Sequence, residues 1–167
     1  MRQKPSALTR DDFVALYGGV YEHSPHFALA VWPRAKTGAL DTLVGLAGAL
    51  KAAVDASGHQ MQLALIRAHP DLAGRVKLSP ESAGEQAGAG LDHCSAAELE
   101  EFLALNARYK KKFGFPFIKA VRGFSRPQIL QEFRARLDND PQTEFATALA
   151  QIHRIALLRL TDLAETP

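Results

Sequence analysis

Residues 95–112 read SAAELEEFLALNARYKKK, and this stretch decides the fold class. Ser95 followed three residues later by Glu98 is a capping box, in which the hydroxyl takes the N3 amide and the carboxylate reaches back to the cap amide. At the other end Lys110, Lys111 and Lys112 place cations where a helix dipole favours them. The spacing predicts a helix from Ser95 to about Lys112. The same grammar extends outward in both directions. Thr9 with Asp12 predicts a helix running to about Val20. Ser24-Pro25, Ser79-Pro80 and Asp140-Pro141 each predict a helix start, with the polar side chain as cap and proline in the first turn. Residues 39–57 are rich in Ala and Leu and close near Ser57-Gly58. Residues 59–68 carry Met61, Leu65 and Ala68 at helical spacing.

Strand signals are weak by comparison. The best candidate is Phe113 to Val121, FGFPFIKAV, where Pro116 would break a ladder in a central strand. An extended or irregular segment is expected there. The sequence holds no internal repeats, low-complexity tracts or credible linkers. The expectation is all-α: residues 1–167 as a single-domain bundle of about eight helices.

Composition narrows the function classes. With 47% hydrophobic and 23% charged residues, the chain can bury one core and carries no signature of disorder. A formal net charge of +2 with scattered basic residues argues against nucleic acid. The single cysteine, Cys94, excludes an intramolecular disulfide and fits a reducing compartment. No apolar segment approaches the roughly 20 residues of a membrane span. MRQKPSALTRDD lacks the apolar stretch of a secretory signal, and LAETP carries no peroxisomal tripeptide. The expectation is a cytoplasmic protein that binds neither nucleic acid nor membrane. No G-x-G-x-x-G, P-loop or G-x-S-x-G occurs. The six histidines lack paired-ligand spacing, so no metal site is expected.

Four constellations remain. In RAHPDLAGR, residues 67–75, Pro70 restricts His69 to extended backbone and pre-sets the first turn of any helix that follows. His69 is therefore expected at a helix start, which suits an ordinary turn and equally a catalytic group that must not wander. In SAGEQAGAG, residues 82–90, a helix opened by Ser79-Pro80 puts Ser82, Glu85 and Gln86 on one face. They form either an exposed polar face or a hydroxyl, a carboxylate and an amide converging on a small polar ligand. The terminal helix carries an apolar stripe of Phe145, Leu149, Ile152, Ala156 and Leu163. Helical phase sets Arg159 inside that stripe and Arg154 opposite. A cation there needs a partner or a ligand anion, unless it snorkels to water. Finally, FGFPFIKAVRG can form an irregular wall whose backbone groups bind a ligand, or simply a hydrophobic loop anchor. Alone, these features describe a helical enzyme or binding domain with a small polar pocket.

Together, HPDLAG at 69–74, SAGEQAGAGLD at 82–92 and FGFPFI at 113–118 resemble the 2-oxo-4-hydroxy-4-carboxy-5-ureidoimidazoline (OHCU) decarboxylase family. EHSP at 22–25 and RIALLRLTDL at 154–163 extend the resemblance over nearly the whole chain. It implies an all-helical, homodimeric lyase without cofactor, acting on a small ureidoimidazoline. The reaction implied is OHCU to (S)-allantoin and carbon dioxide, the last step after urate oxidation and hydroxyisourate hydrolysis. His69 matches the catalytic histidine, placed as cap of a helix starting at Pro70, whose dipole favours neutral imidazole. Glu85 matches its charged partner, which favours imidazolium. Pro70, Ser82, Gln86, Phe117, Ile118, Lys119, Ala120, Val121 and Arg159 match substrate contacts. Two departures stand out: His26 and Phe27 where an aromatic directly after Ser-Pro is frequent, and Lys119 in a segment often wholly apolar. The rival readings are a non-catalytic helical interaction module and a cofactor-free lyase or hydrolase on a related ureide.

Overall fold

Local capping sets out the elements before any packing is considered. The computed structural model describes residues 3–74 and 78–165. Among these, eight α-helices form: α1 (Arg10–Tyr17), α2 (His26–Ala35), α3 (Leu43–Asp55), α4 (His59–Ala68), α5 (Pro80–Gly88), α6 (Ala96–Phe113), α7 (Arg126–Arg136) and α8 (Pro141–Glu165). No strand occurs among the described residues, so the protein is all-α. None of these helices is long and apolar enough to cross a membrane.

The caps follow side-chain chemistry. The Thr9 hydroxyl accepts the Asp12 amide, Thr42 accepts that of Gly45, and Ser79 accepts that of Ser82. Asp140 takes the amides of Gln142 and Thr143. The Ser95–Glu98 box forms in full. Gly114 then stops α6 in the left-handed region at φ +76°, where a side chain would cost about 1–2 kcal/mol.

Three sequence expectations are corrected. The first helix stops at Tyr17 rather than near Val20. Ser24 caps nothing: its hydroxyl donates to the Glu22 carbonyl at 2.9 Å, and α2 begins only at His26. Leu163 is 36% exposed and leaves the apolar stripe of α8, which instead runs through Glu144, Ala148, Ile152, Ala156, Arg159 and Leu160. Helix α7 was not singled out from the sequence, although Ser125 and Gln128 spell a capping pair and the Ser125 amide donates to Gln128 Oε1.

The chain divides into two compact units. One comprises the residues up to Leu65 and those from His153 onward. Its core is built on Phe13, fully buried, with its ring 5.0 Å from Tyr17 and 5.3 Å from Trp32. The other runs from Ile66 to Ile152 and centres on Tyr109, Phe102, Phe117 and Phe133. Phe117 stacks on Phe133 with centroids 3.9 Å apart. Burying one ring is worth about 1.5–3 kcal/mol of transfer free energy. That matters here because residues 114–121 are neither helix nor strand, so ring burial replaces the hydrogen-bond ladder they lack.

Within the first unit, α8 places His153 between two partners. Its Nδ1 lies 2.8 Å from the Tyr21 hydroxyl and its Nε2 3.0 Å from Asp55 Oδ1. Asp55 also pairs with Lys51 at 2.5 Å. A carboxylate only accepts, so Nε2 carries the proton and Nδ1 accepts from Tyr21. Burial pushes the His153 imidazole below its ordinary pKa, against the pull of Asp55. The unfolded chain therefore binds this proton more readily than the fold does. The contribution to stability is complete above the ordinary imidazole value of about 6.5 and is lost as pH falls below it. Urea unfolding should show this loss, limited to about 1.4 kcal/mol per pH unit for one proton. His153→Gln can still donate to Asp55 and accept from Tyr21, and should give a flatter pH dependence in that window. Equal slopes for the two proteins would contradict the assignment.

Candidate active site

Pro70 shapes the first part of the site. It disfavours helical backbone at His69, so α4 ends at Ala68, and the His69 amide closes the last turn on the Ile66 carbonyl at 3.2 Å. No helix starts at Pro70; residues 70–74 form a turn and α5 begins only at Pro80. The expectation that His69 caps a following helix is thus corrected: it stands at the C-terminal end of α4. The dipole end beside it is the negative one, which favours a cation rather than a neutral ring. His69 is 8% exposed.

The turn after it is pinned from two helices. Gln86 on α5 accepts the Ala73 amide through Oε1 at 3.0 Å and donates through Nε2 to the Asp71 carbonyl at 3.2 Å. Asn106 on α6 donates to the Leu72 carbonyl at 2.9 Å, and Lys110 meets the Asp71 carboxylate at 2.6 Å. Ala73 sits at φ +51°, a conformation that costs an L residue about 1–2 kcal/mol. The surrounding bonds offset that cost. Gln86 keeps one N–H beyond those it uses here, because an amide nitrogen carries two.

Helix α5 presents the polar face its spacing predicts. Ser82 is 4% and Gln86 6% exposed, and Glu85 is half-buried. The rest of the helix is mostly Ala and Gly, and Ala83, Gly84, Ala87 and Gly88 are exposed. Nothing lies within 4 Å of a Cβ placed at Gly84 or Gly88, so these small residues do not serve close packing. His69, Pro70, Ser82, Glu85 and Gln86 all belong to the second unit, and the Gln86 amide joins α5 directly to the turn that follows Pro70.

The segment Phe117–Val121 lies in the same unit and is buried throughout. Two of its backbone groups have side-chain partners: the Ile118 carbonyl accepts from Arg136 Nη1 at 2.7 Å, and the Ala120 amide donates to Gln151 at 3.0 Å. Lys119, the charge that interrupts the apolar pattern, pairs with Glu132 at 2.6 Å and lies 3.5 Å above the Phe124 ring. Its ammonium is thereby engaged within the protein. Arg136 also donates to Glu144 from Nε, at 2.7 Å, and from Nη2. Glu144 is fully buried and accepts further from the Tyr109 hydroxyl and from Asn139. Burial, reinforced by Glu144, pushes the Tyr109 phenol well above its usual pKa, so it serves as a donor.

In the first unit, Arg159 is buried as helical phase requires, and Arg154 is exposed. Arg159 Nη2 pairs with Glu22 Oε2 at 2.9 Å and Nη1 donates to the Gly19 carbonyl at 3.1 Å. Glu22, from the EHSP stretch, is 2% exposed.

Asn106, Arg136, Glu144 and Gln151 were missed from the sequence. Three left a readable signal. Asn106 falls on the buried stripe of α6 with Phe102, Leu105 and Tyr109, and Glu144 on that of α8 with Ala148 and Ile152. Arg136 falls on that of α7 with Ile129 and Phe133, a phase its exposed neighbour Arg134 does not share. Among the described residues, no three His, Cys, Asp or Glu side chains converge as metal ligands would.

Known proteins are similar to this chain over most of its length. A family model described as OHCU decarboxylase matches residues 6–161. The chain is 39% identical over 160 residues to a 2-oxo-4-hydroxy-4-carboxy-5-ureidoimidazoline decarboxylase of Haloferax volcanii, covering 96% of this chain and 94% of that one. It is 43% identical over 154 residues to the protein of the same name from Halalkalicoccus jeotgali, covering 92% and 86%. A crystal structure of (S)-allantoin synthase aligns with a TM-score of 0.77 at 34% identity, over 95% of this chain and 52% of that one. An OHCU decarboxylase crystallised in the presence of (S)-allantoin aligns with a TM-score of 0.69 at 25% identity, over 92% and 96%. The chain belongs to the OHCU decarboxylase family.

Proposed function

We propose that the protein is a carbon–carbon lyase that converts OHCU to (S)-allantoin and carbon dioxide. The observation that carries this reading is the pinned turn of His69 and Gln86 in a chain whose family match spans residues 6–161. The substrate's carboxylate sits on a carbon next to a C=N bond. As carbon dioxide leaves, the electron pair of the broken bond moves into that C=N, so the substrate is its own electron sink. The nitrogen of that C=N takes a proton as it gains the pair. The resulting enol then gives up its hydroxyl proton while the neighbouring carbon takes one on a single face. His69 is the group that moves the proton, and Glu85 is its charged partner. Arg159 anchors substrate oxygen. Ser82 and the remaining N–H of Gln86 suit the ureido and ring amides. Pro70 and the backbone of Phe117, Ile118, Lys119, Ala120 and Val121 line the substrate. In this reading the chain acts as one catalytic domain, as a cytoplasmic homodimer, without cofactor or nucleic acid.

Three experiments test it. OHCU generated enzymatically from urate decays spontaneously to racemic allantoin, so added protein should give an excess of the S form by circular dichroism; racemic product at the spontaneous rate would refute the reading. His69→Asn should lower kcat/KM by about 10²–10⁴-fold while its residual product turns racemic. Glu85→Gln should also slow the reaction, and the double variant should be little worse than His69→Asn alone, because groups acting together are non-additive.

The two arginines separate by position. Arg159→Lys should raise KM or abolish turnover, and Arg154→Ala should change neither constant. Arg159→Ala would also take its guanidinium partner from the buried Glu22, at a cost of several kcal/mol, so rates are compared per folded molecule. Equal kinetics for the Arg159→Lys and Arg154→Ala variants would remove Arg159 from the site. Dialysis against a strong chelator should leave activity intact, whereas loss reversed by added metal would overturn the cofactor-free mechanism.

A further inference from the structure

The charges packed against residues 117–121 have no part in the chemistry proposed above, yet they are among the most buried in the protein. Glu144 is fully buried, Arg136 is 6% exposed and Lys119 7%. Replacing a buried ion pair by apolar residues of similar volume is often neutral or stabilising, so stability alone does not explain their presence. Geometry does. The Arg136 guanidinium uses one edge, Nε and Nη2, on the Glu144 carboxylate, and turns Nη1 to the Ile118 carbonyl at 2.7 Å. Its plane also lies 4.3 Å from the Phe117 ring centroid. Glu144 is fixed in turn by Tyr109 and Asn139. A planar fork held rigidly on one side dictates where the other side points. The peptide after Phe117 therefore has one position, set from α6, α7 and α8 together.

We propose that Arg136 and Glu144 are positioning residues: the buried pair clamps the Ile118 carbonyl and so sets the register in which residues 117–121 meet the substrate. The inference rests on the reading above that this segment lines the substrate. Arg136→Lys keeps a positive charge but cannot bridge the carboxylate and the carbonyl as a planar fork does. Displacing groups that orient a substrate by about 1 Å can cost on the order of 10²-fold, and kcat/KM of this variant should fall by that order. Val54→Ala is the control, since it removes buried methyl groups from α3 in the first unit and leaves Tyr109, Glu144, Arg136 and Ile118 unaltered. It should lower the unfolding midpoint while kcat/KM per folded molecule stays unchanged.

Both variants are assayed at a temperature where each is fully folded, with amide hydrogen exchange of residues 117–121 followed alongside. Selective loss of protection in that segment, with the kinetic loss confined to Arg136→Lys, supports the clamp. Wild-type kcat/KM in Arg136→Lys, despite a lowered midpoint, would reduce the pair to a purely structural role and overturn the proposal. Should Arg136→Lys fail to fold, Glu144→Gln, which keeps the shape and loses the charge, carries the same comparison. Absence of any wild-type activity on OHCU would refute the reading of function instead, and the exchange measurement would still report on the clamp.

Discussion

A helix satisfies its own backbone hydrogen bonds, whereas a buried stretch that is not helical must take partners from elsewhere. In the second unit that constraint falls on two short pieces of chain, the turn after Pro70 and the segment around Ile118. Each is answered by side chains from the helices beside it. Gln86 and Asn106 serve the turn, and Arg136 and Gln151 serve the segment. Much of the polar equipment near the candidate site therefore works on the protein before it works on a ligand. The sequence reading of Gln86 as a ligand contact acquires a second meaning, because the same amide holds the turn next to His69.

Electrostatics follows the same discipline. Arg136 meets Glu144, Lys119 meets Glu132 and Arg159 meets Glu22. An unpaired charge in these places would cost several kcal/mol. Pairing limits the penalty, and at Arg136 it adds direction, because Nε and Nη2 both converge on Glu144 Oε1. What distinguishes the three pairs is what else the cation touches. Lys119 lies over an aromatic ring, Arg136 lies over a ring and holds a backbone carbonyl, and Arg159 holds a backbone carbonyl.

Features encoded within a few residues were the ones legible in the sequence. The Ser95–Glu98 box, the Ser79 and Asp140 caps and the phase that separates Arg159 from Arg154 all follow from neighbours one or two turns apart. Proline was the ambiguous sign. The residue before it leaves helical backbone, and this can open one helix or close another. At Asp140-Pro141 it opens α8, whereas at His69-Pro70 it closes α4 and reverses the dipole beside the histidine. The Ser24 hydroxyl went to a carbonyl two residues back, a local competition that a cap motif does not reveal. The clamp around Glu144 was hidden for a different reason. Its members come from three helices and an irregular segment, and a charged residue in a one-dimensional reading looks solvated until its helical phase is drawn.

Helix α5 has a consequence for motion. Nine residues long and built largely of Ala and Gly, it is too short and too weak to persist on its own. Gln86 ties it to the turn that follows His69, so neither the helix nor the turn can open without releasing the other. They form one cooperative unit at the low end of the protein's local stability. A molecule held by that unit would pull its opening equilibrium shut by mass action, so that occupancy of the site and order of the helix become two measures of one event.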